Sequence, residues 1–222
     1  MFHLGSIGGT SIDVDFSFLM LIVLFVLTNH DPNQPIQYAL IWAPIVFVSV
    51  LVHEMAHAAA IALFGYGSSR IVLGGMGGVT ISSRRARPWH DMVISLAGPI
   101  ASFLMAWLTR VMMLNLAAAS TDAMLVVLLP KLYWANIAWG IFNLLPVSPL
   151  DGGHAVRNFL RTFLKERPAF IIAVWIAMIG GTGFVVLSLV GRQFFIALLI
   201  GWFVYLNFQQ WQLFKERGIP GD

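Results

Sequence analysis

The sequence predicts an all-α polytopic membrane protein, with about six transmembrane helices and a small β hairpin or sheet at the membrane surface. Of the 222 residues, 59% are hydrophobic and only 10% are charged, whereas about 25% are charged in an ordinary soluble domain. A soluble globule of this length could not bury so much apolar surface. The composition therefore excludes a cytosolic enzyme, a nucleic-acid-binding protein and a disordered chain.

Six apolar segments are separated by turn residues or by charge, and most have roughly the 20 residues that cross a bilayer. The first segment is short, and Pro130 and Lys131 interrupt the fourth. The six segments cover about residues 15–28, 37–64, 92–117, 124–146, 169–190 and 193–213. We interpret residues 1–222 as a single transmembrane domain whose core spans lie at about 37–153.

The basic residues predict the orientation of the chain. An even number of spans puts both termini on one side of the membrane. Of the 13 Lys and Arg residues, four lie at 70–87, four at 157–167 and two at 215–217, all on that side. The positive-inside rule then predicts a multi-pass protein of the cell membrane with cytosolic termini and a cytosolic opening to its site.

Three stretches between or before the spans predict structure at the membrane surface. Residues 1–14 have the mixed pattern of a short strand. In Arg70–Ser83, two β-branched runs flank a glycine cluster, which predicts a hairpin. A nucleotide-binding loop is excluded there, because the glycines lack the G-x-G-x-x-G spacing. Residues 153–167 predict a short helix that meets anionic headgroups.

The second span carries three ionisable residues in the sequence HEMAH, where each is costly in lipid. His53 and His57 are four residues apart, so on a helix they lie on one face and suit two nitrogen ligands of one Zn²⁺. Glu54 lies beside them and can accept a proton from water, as in the H-E-x-x-H arrangement. The alternative is two buried histidines that hydrogen-bond to neighbouring carbonyls.

Zinc needs a third protein ligand, and the absence of cysteine restricts it to His, Asp or Glu. Asp151 is the best candidate, at the cytosolic end of the fourth span. Pro146 and Pro149 precede it and prevent a regular helix, while the following glycine pair permits a sharp turn. Alone, Asp151 would be interpreted as the N-cap of a helix that begins near Gly153. Together with HEMAH, it is better interpreted as a ligand.

The two segments, HEMAH and the sequence NLLPVSPLDGG at 143–153, together resemble the site-2 protease family of intramembrane zinc metalloproteases. The chain is similar to the compact six-span members without a PDZ domain. The resemblance implies one Zn²⁺ per chain, bound by His53, His57 and Asp151, with Glu54 as the catalytic acid/base. It also implies that Asn143 takes part in catalysis or substrate binding, by holding the substrate backbone or the developing oxyanion.

The resemblance further implies hydrolysis of peptide bonds within or near transmembrane segments, in regulated intramembrane proteolysis of a single-span membrane protein. A helical substrate must unwind before it can be cut. We predict that the hairpin at 70–83 offers a strand edge that holds the unwound segment, through Ile71, Val72 and Leu73 or through Val79–Ile81. The alternatives are a plain surface hairpin and, for the whole protein, a metal-binding transporter or channel, or an inactive scaffold.

The third span carries a face of small residues, for which we predict close helix packing rather than a role in catalysis. Its members are Ser95, Gly98, Ser102 and Ala106.

Overall fold

A computed structural model describes residues 1–116 and 123–217. Its helices and strands follow the predicted order along the chain. They are β1 (Phe2–Ile7), β2 (Thr10–Val14), α1 (Phe16–Thr28), α2 (Gln37–Leu40), α3 (Trp42–Leu63), β3 (Ser69–Gly74), β4 (Gly77–Ser82), α4 (Pro88–Leu116), α5 (Ala123–Asn143), α6 (Asp151–Phe163), α7 (Glu166–Val190) and α8 (Phe194–Arg217). The chain divides into two compact units, Met1–Arg85 with Ala97–Gly140, and Ala86–Leu96 with Ile141–Asp222.

The predicted membrane spans are all helical. Within the described ranges, five helical segments are long and apolar enough to cross a membrane, which confirms a multi-pass membrane fold. The first predicted span is shorter than these five segments, because α1 has 13 residues. At about 1.5 Å per residue it is roughly 20 Å long, less than a hydrocarbon core of about 30 Å. The five segments are Gln37–Leu63, Pro88–Asn115, Met124–Asn143, Glu166–Val190 and Phe194–Glu216.

The first unit contains a sheet that extends the predicted hairpin. Among the described residues its strand order is β1-β2-β3-β4. The two hairpins are antiparallel, and β2 pairs with β3 in parallel. Ile71 therefore lies between Ile12 and Thr80. The inner face of the sheet packs its apolar side chains, including Ile71, on α1 and α3.

The hairpin of β3 and β4 is tied to the start of α1. Asp15 caps this helix by accepting from the Ser17 backbone N–H, at 3.0 Å. The Ser17 hydroxyl donates to the same carboxylate oxygen at 2.6 Å, and accepts from the Gly75 backbone N–H at 2.9 Å. The hydrogen bond from the Ser17 hydroxyl is the main cause that lowers the pKa of Asp15. These contacts link the hairpin turn to the N-terminus of α1.

The second unit contains the short amphipathic helix α6, which begins at Asp151 and ends at Phe163. It occupies most of the predicted range 153–167. Glu166, at the start of α7, accepts from Arg157 at 2.6 Å and pairs with Arg161 at 2.5 Å. Helices α7 and α8 share a buried apolar core with the loop before α6, which includes Val147, Ile200 and Phe203. The cationic face of α6 is thus partly neutralised by a carboxylate of the next helix.

Candidate metal centre

Helix α3 brings the two histidines of HEMAH together, as the spacing predicts. Their ring centroids are 4.9 Å apart at an interplanar angle of 76°. Both side chains are buried, with His53 2% and His57 6% exposed. The remainder of α3 is apolar, so two polar rings on one buried face need polar partners.

Gly98 of α4 lies directly against both rings. A Cβ atom built on Gly98 would collide with Nε2 of His53 and with Nε2 of His57. The two nitrogens therefore face one common point, and only a glycine leaves space there. Two converging imidazole nitrogens are an arrangement that suits a divalent metal ion. The small face of the third span, for which packing was predicted, therefore also shapes the metal centre.

Ser102, one helical turn further along α4, contacts the other nitrogen of His53. Its Oγ lies 3.0 Å from His53 Nδ1, and both side chains are buried. A metal-binding histidine commonly donates its second ring N–H to such a partner, which fixes the orientation of the ring. Because Nδ1 contacts Ser102, the candidate ligand atom of His53 is Nε2, which lies beside Gly98.

Glu54 points towards strand β4. Its side chain is buried, 3% exposed. The Thr80 hydroxyl of β4 donates to Glu54 Oε2 at 2.7 Å and lies 3.1 Å from the Glu54 backbone carbonyl oxygen. The backbone of Gly78, two residues earlier in β4, packs on the same carboxylate. A carboxylate is thus held next to the two histidines by the sheet.

The third candidate ligand is Asp151, the first residue of α6. Among the described residues, His53, His57 and Asp151 form the one group of three side chains that could hold a metal ion, with ligand atoms within 4.8 Å of one another. The alternative of Asp151 as an N-cap is wrong, because Leu150 is the N-cap residue.

Trp139 of α5 also packs against the His53 ring. The two rings meet edge to face, with centroids 6.4 Å apart and an interplanar angle of 82°. The same indole contacts Gly77, which has a φ of +111° and no space for a Cβ atom. The turn before β4 therefore packs against the same Trp139 ring that contacts His53.

Ile71, Val72 and Leu73 are not at a strand edge, so the edge predicted at these residues is wrong, whereas Val79–Ile81 of the same hairpin lie on the edge strand β4. Each of the β3 residues is paired with β2 on one side and with β4 on the other. The parallel pairing of β2 with β3, which joins distant parts of the chain, occupies the edge that the hairpin alone would leave open. Asn143 is the last residue of α5 and is partly buried. Its role stays a prediction.

Three neighbours of the site were not identified from the sequence, namely Gly78, Thr80 and Trp139. The glycine cluster at 74–78 predicts a turn, and Thr80 is an ordinary strand residue. The signal available was the strand period of two, which places Gly78 and Thr80 on the same face of β4. Which element that face contacts is a property of the tertiary structure.

Comparison with known proteins gives consistent results. Residues 108–188 match the model of Peptidase family M50. The chain is 30% identical to the putative zinc metalloprotease Rip3 of Mycobacterium tuberculosis, over 91% of this chain and 56% of that protein. It is 27% identical to the zinc metalloprotease MJ0392 of Methanocaldococcus jannaschii, over 94% of this chain and 59% of that protein.

The fold is similar to the solved structure of a site-2 protease from Methanocaldococcus jannaschii. The TM-score is 0.64 at 23% identity, and the match covers 94% of this chain and 93% of that one. The chain spans a little over half the length of the curated relatives it matches. The family match, the relatives and the fold agree with the H-E-x-x-H and Asp151 motifs. The chain is therefore similar to peptidase family M50 over residues 108–188, and it has the fold of the solved site-2 protease.

Proposed function

We propose that the protein is an intramembrane zinc metalloprotease that hydrolyses peptide bonds within or near transmembrane segments of membrane proteins. The observation that carries this proposal is the convergence of both histidine Nε2 atoms on one point, beside a buried carboxylate, in an apolar helix. Ionisable groups in a membrane span are costly and mark functional sites.

The residues present fit zinc. His53, His57 and Asp151 would hold the ion, which leaves one position for water or substrate. When bound, zinc would activate water and polarise the scissile carbonyl as a Lewis acid. The chain contains no cysteine, so these nitrogen and oxygen donors are the ones available.

The chain's own side chains supply the proton transfer. Glu54 would take a proton from the attacking water and deliver it to the leaving nitrogen, in the usual role of a general acid/base. Asn143, at the end of α5, would donate a hydrogen bond to the substrate backbone or to the developing oxyanion. Burial of Glu54 excludes bulk water, and this strengthens the electrostatic interactions of its carboxylate.

The decisive experiment compares wild type with Glu54→Gln in reconstituted vesicles. The readouts are zinc per chain and cleavage of a model single-span substrate. We expect Glu54→Gln to keep one zinc and to lose at least about a hundredfold in turnover, at the lower end of general acid–base contributions. A transporter or channel would keep partial function, because Glu54 is not a ligand. Cleavage by Glu54→Gln at the wild-type rate would contradict the proposed mechanism.

We further propose that the unwound substrate adds as a strand to β4. This strand forms an edge of the sheet, and the side chains of Val79 and Ile81 are 51% and 52% exposed. An exposed edge offers backbone donors and acceptors to an extended peptide. The other edge is β1, which lacks the contact with Glu54 that β4 makes.

Because the chain has no cysteine, single-cysteine crosslinking can test this proposal. A Val79→Cys variant, made in the Glu54→Gln background, is mixed with a substrate that carries one cysteine near its cleavage site. We expect a disulfide-linked complex. Leu4→Cys on β1, which is 56% exposed, is the matched control and should crosslink weakly. Equal crosslinking at both edges would contradict addition at β4.

We also propose a location in the cell membrane, with both termini and the site opening in the cytosol. The support is the excess of basic residues on that side. Arg85→Cys and Gly191→Cys lie on opposite predicted sides, and both positions are exposed. An impermeant thiol reagent added to intact cells should label Gly191→Cys only. The reverse labelling would contradict this orientation.

A further inference from the structure

Strand β4 presents two faces with different partners. Thr80 points to α3 and contacts Glu54, whereas the neighbouring side chains of Val79 and Ile81 are exposed. Alternation along a strand explains this division, because successive side chains point to opposite faces. Gly78 lies on the same face as Thr80, and the two residues bracket the Glu54 carboxylate.

The two contacts restrain different parts of the Glu54 side chain. The Thr80 hydroxyl donates to Oε2 at 2.7 Å. A Cβ atom on Gly78 would lie 2.6 Å from Oε1 and would also collide with Cγ and Cδ. The strand backbone therefore packs against Oε1 of the carboxylate, and the Thr80 hydroxyl binds Oε2. A glutamate side chain has three rotatable bonds, and these two contacts restrain its position.

We infer that Thr80 is a positioning residue for the proposed reaction, and that β4 places the Glu54 carboxylate through the Thr80 hydroxyl and the close approach of Gly78. This inference rests on the proposed function. It means that the strand proposed to receive the substrate also holds the general base. A general base must lie within hydrogen-bond reach of the water it deprotonates, and a displacement of about 1 Å can cost roughly a hundredfold in rate.

The main test compares Thr80→Val, Thr80→Ser and Thr10→Val with wild type. Valine has the shape of threonine without the hydroxyl, and serine restores the hydroxyl. Thr10→Val removes a buried hydroxyl of the same sheet that bonds to Ser69 at 2.8 Å and does not contact Glu54. The measurements are kcat and KM on a model single-span substrate in vesicles, zinc per chain, and the thermal unfolding midpoint.

We expect Thr80→Val to lower kcat by about tenfold or more, because a hydrogen bond to a charged group is lost. KM should stay within about twofold and zinc should remain at one per chain, since this is the pattern of an interaction that acts in the transition state. Thr80→Ser should recover most of kcat. Thr10→Val should lower the unfolding midpoint at least as much as Thr80→Val does. Its kcat should stay within about twofold of wild type, as expected of a purely structural hydroxyl.

Gly78→Ala is the second variant, and it displaces the carboxylate without removing the hydroxyl. The backbone of Gly78 does not have a positive φ, so alanine is compatible with the strand. The atoms in its way belong to the flexible end of Glu54, which can move. We expect a folded protein with bound zinc and a kcat at least about tenfold lower, because the base is moved out of reach.

A measurement that does not depend on turnover uses metal-free protein. The free energies of unfolding of wild type, Thr80→Val, Glu54→Ala and the double variant form a double-mutant cycle. The two substitutions should be non-additive if the side chains interact. Additive effects would overturn the contact, and unchanged kcat in Thr80→Val, or equal loss in Thr80→Ser, would overturn the positioning role. If wild type does not cleave, or Glu54→Gln cleaves normally, the proposed function fails instead.

Discussion

Replacing Gly98 with alanine should damage the metal centre far more than the fold. The new Cβ atom would lie 2.5 Å from His53 Nε2 and 2.7 Å from His53 Cδ2, and it would also collide with His57 Nε2. Ordinary van der Waals contact for a Cβ atom begins at 3.4 Å. The His53 ring must therefore move by about 0.9 Å, the difference between 3.4 and 2.5 Å, unless α4 itself shifts.

A movement of that size is large for a metal ligand. Zinc–ligand distances hold to within about 0.2 Å, and even the loss of an outer partner costs 10- to 100-fold in affinity. We therefore expect Gly98→Ala to weaken zinc binding by at least about a hundredfold, or about 2.7 kcal/mol. The fold should tolerate the change, because alanine in a helix is favoured over glycine by up to about 1 kcal/mol.

The assay is a zinc titration against a competing chelator, with cleavage measured at saturating zinc and the unfolding midpoint measured without metal. Gly183→Ala in α7 is the matched control, since a Cβ atom there would meet nothing within 4 Å. The control should bind zinc like wild type. Wild-type zinc affinity in Gly98→Ala would refute the inference that both Nε2 atoms are ligands.

Three further outcomes follow from the same contacts. Ser102→Ala removes the partner of His53 Nδ1 and should weaken zinc binding by about tenfold in the same titration. Chelation should abolish cleavage, and added zinc should restore it in wild type but not in His57→Ala. Hydrogen bonds from His3 and then Arg70 lower the pKa of Asp13 below its ordinary value. Their stabilisation is therefore present above that value and is lost as the pH falls through the lower folded pKa. The unfolding midpoint of wild type should fall in this acid range, and that of Asp13→Asn should fall less.

The membrane fold was predictable because its signals are local. An apolar stretch of about 20 residues must be helical in lipid, where every backbone group needs an internal partner. The hairpin at 69–82 was likewise marked by its glycines and β-branched residues. The helix at the start of the chain was predicted as a span, but the interval between Asp15 and Asn29 leaves it only 13 residues.

Some residues of the candidate site could also be predicted from the sequence. Two histidines at four-residue spacing share a helix face whatever surrounds them, and the break before Asp151 needs only prolines and glycines. These local rules predict the candidate zinc ligands and the candidate general base. They do not identify what orients them.

The residues that surround the candidate ligands come from distant parts of the chain. Gly98 contacts both histidines, and Thr80 contacts Glu54, across separations of 26 residues or more along the chain. The pairing of β2 with β3 places Ile71 inside the sheet and leaves β4 as an edge. No periodicity within one segment encodes such contacts, because they depend on how distant segments pack. Local patterns thus predict the helices and the candidate site residues, whereas the contacts of Gly98 and of strand β4 with those residues arise from packing between distant segments.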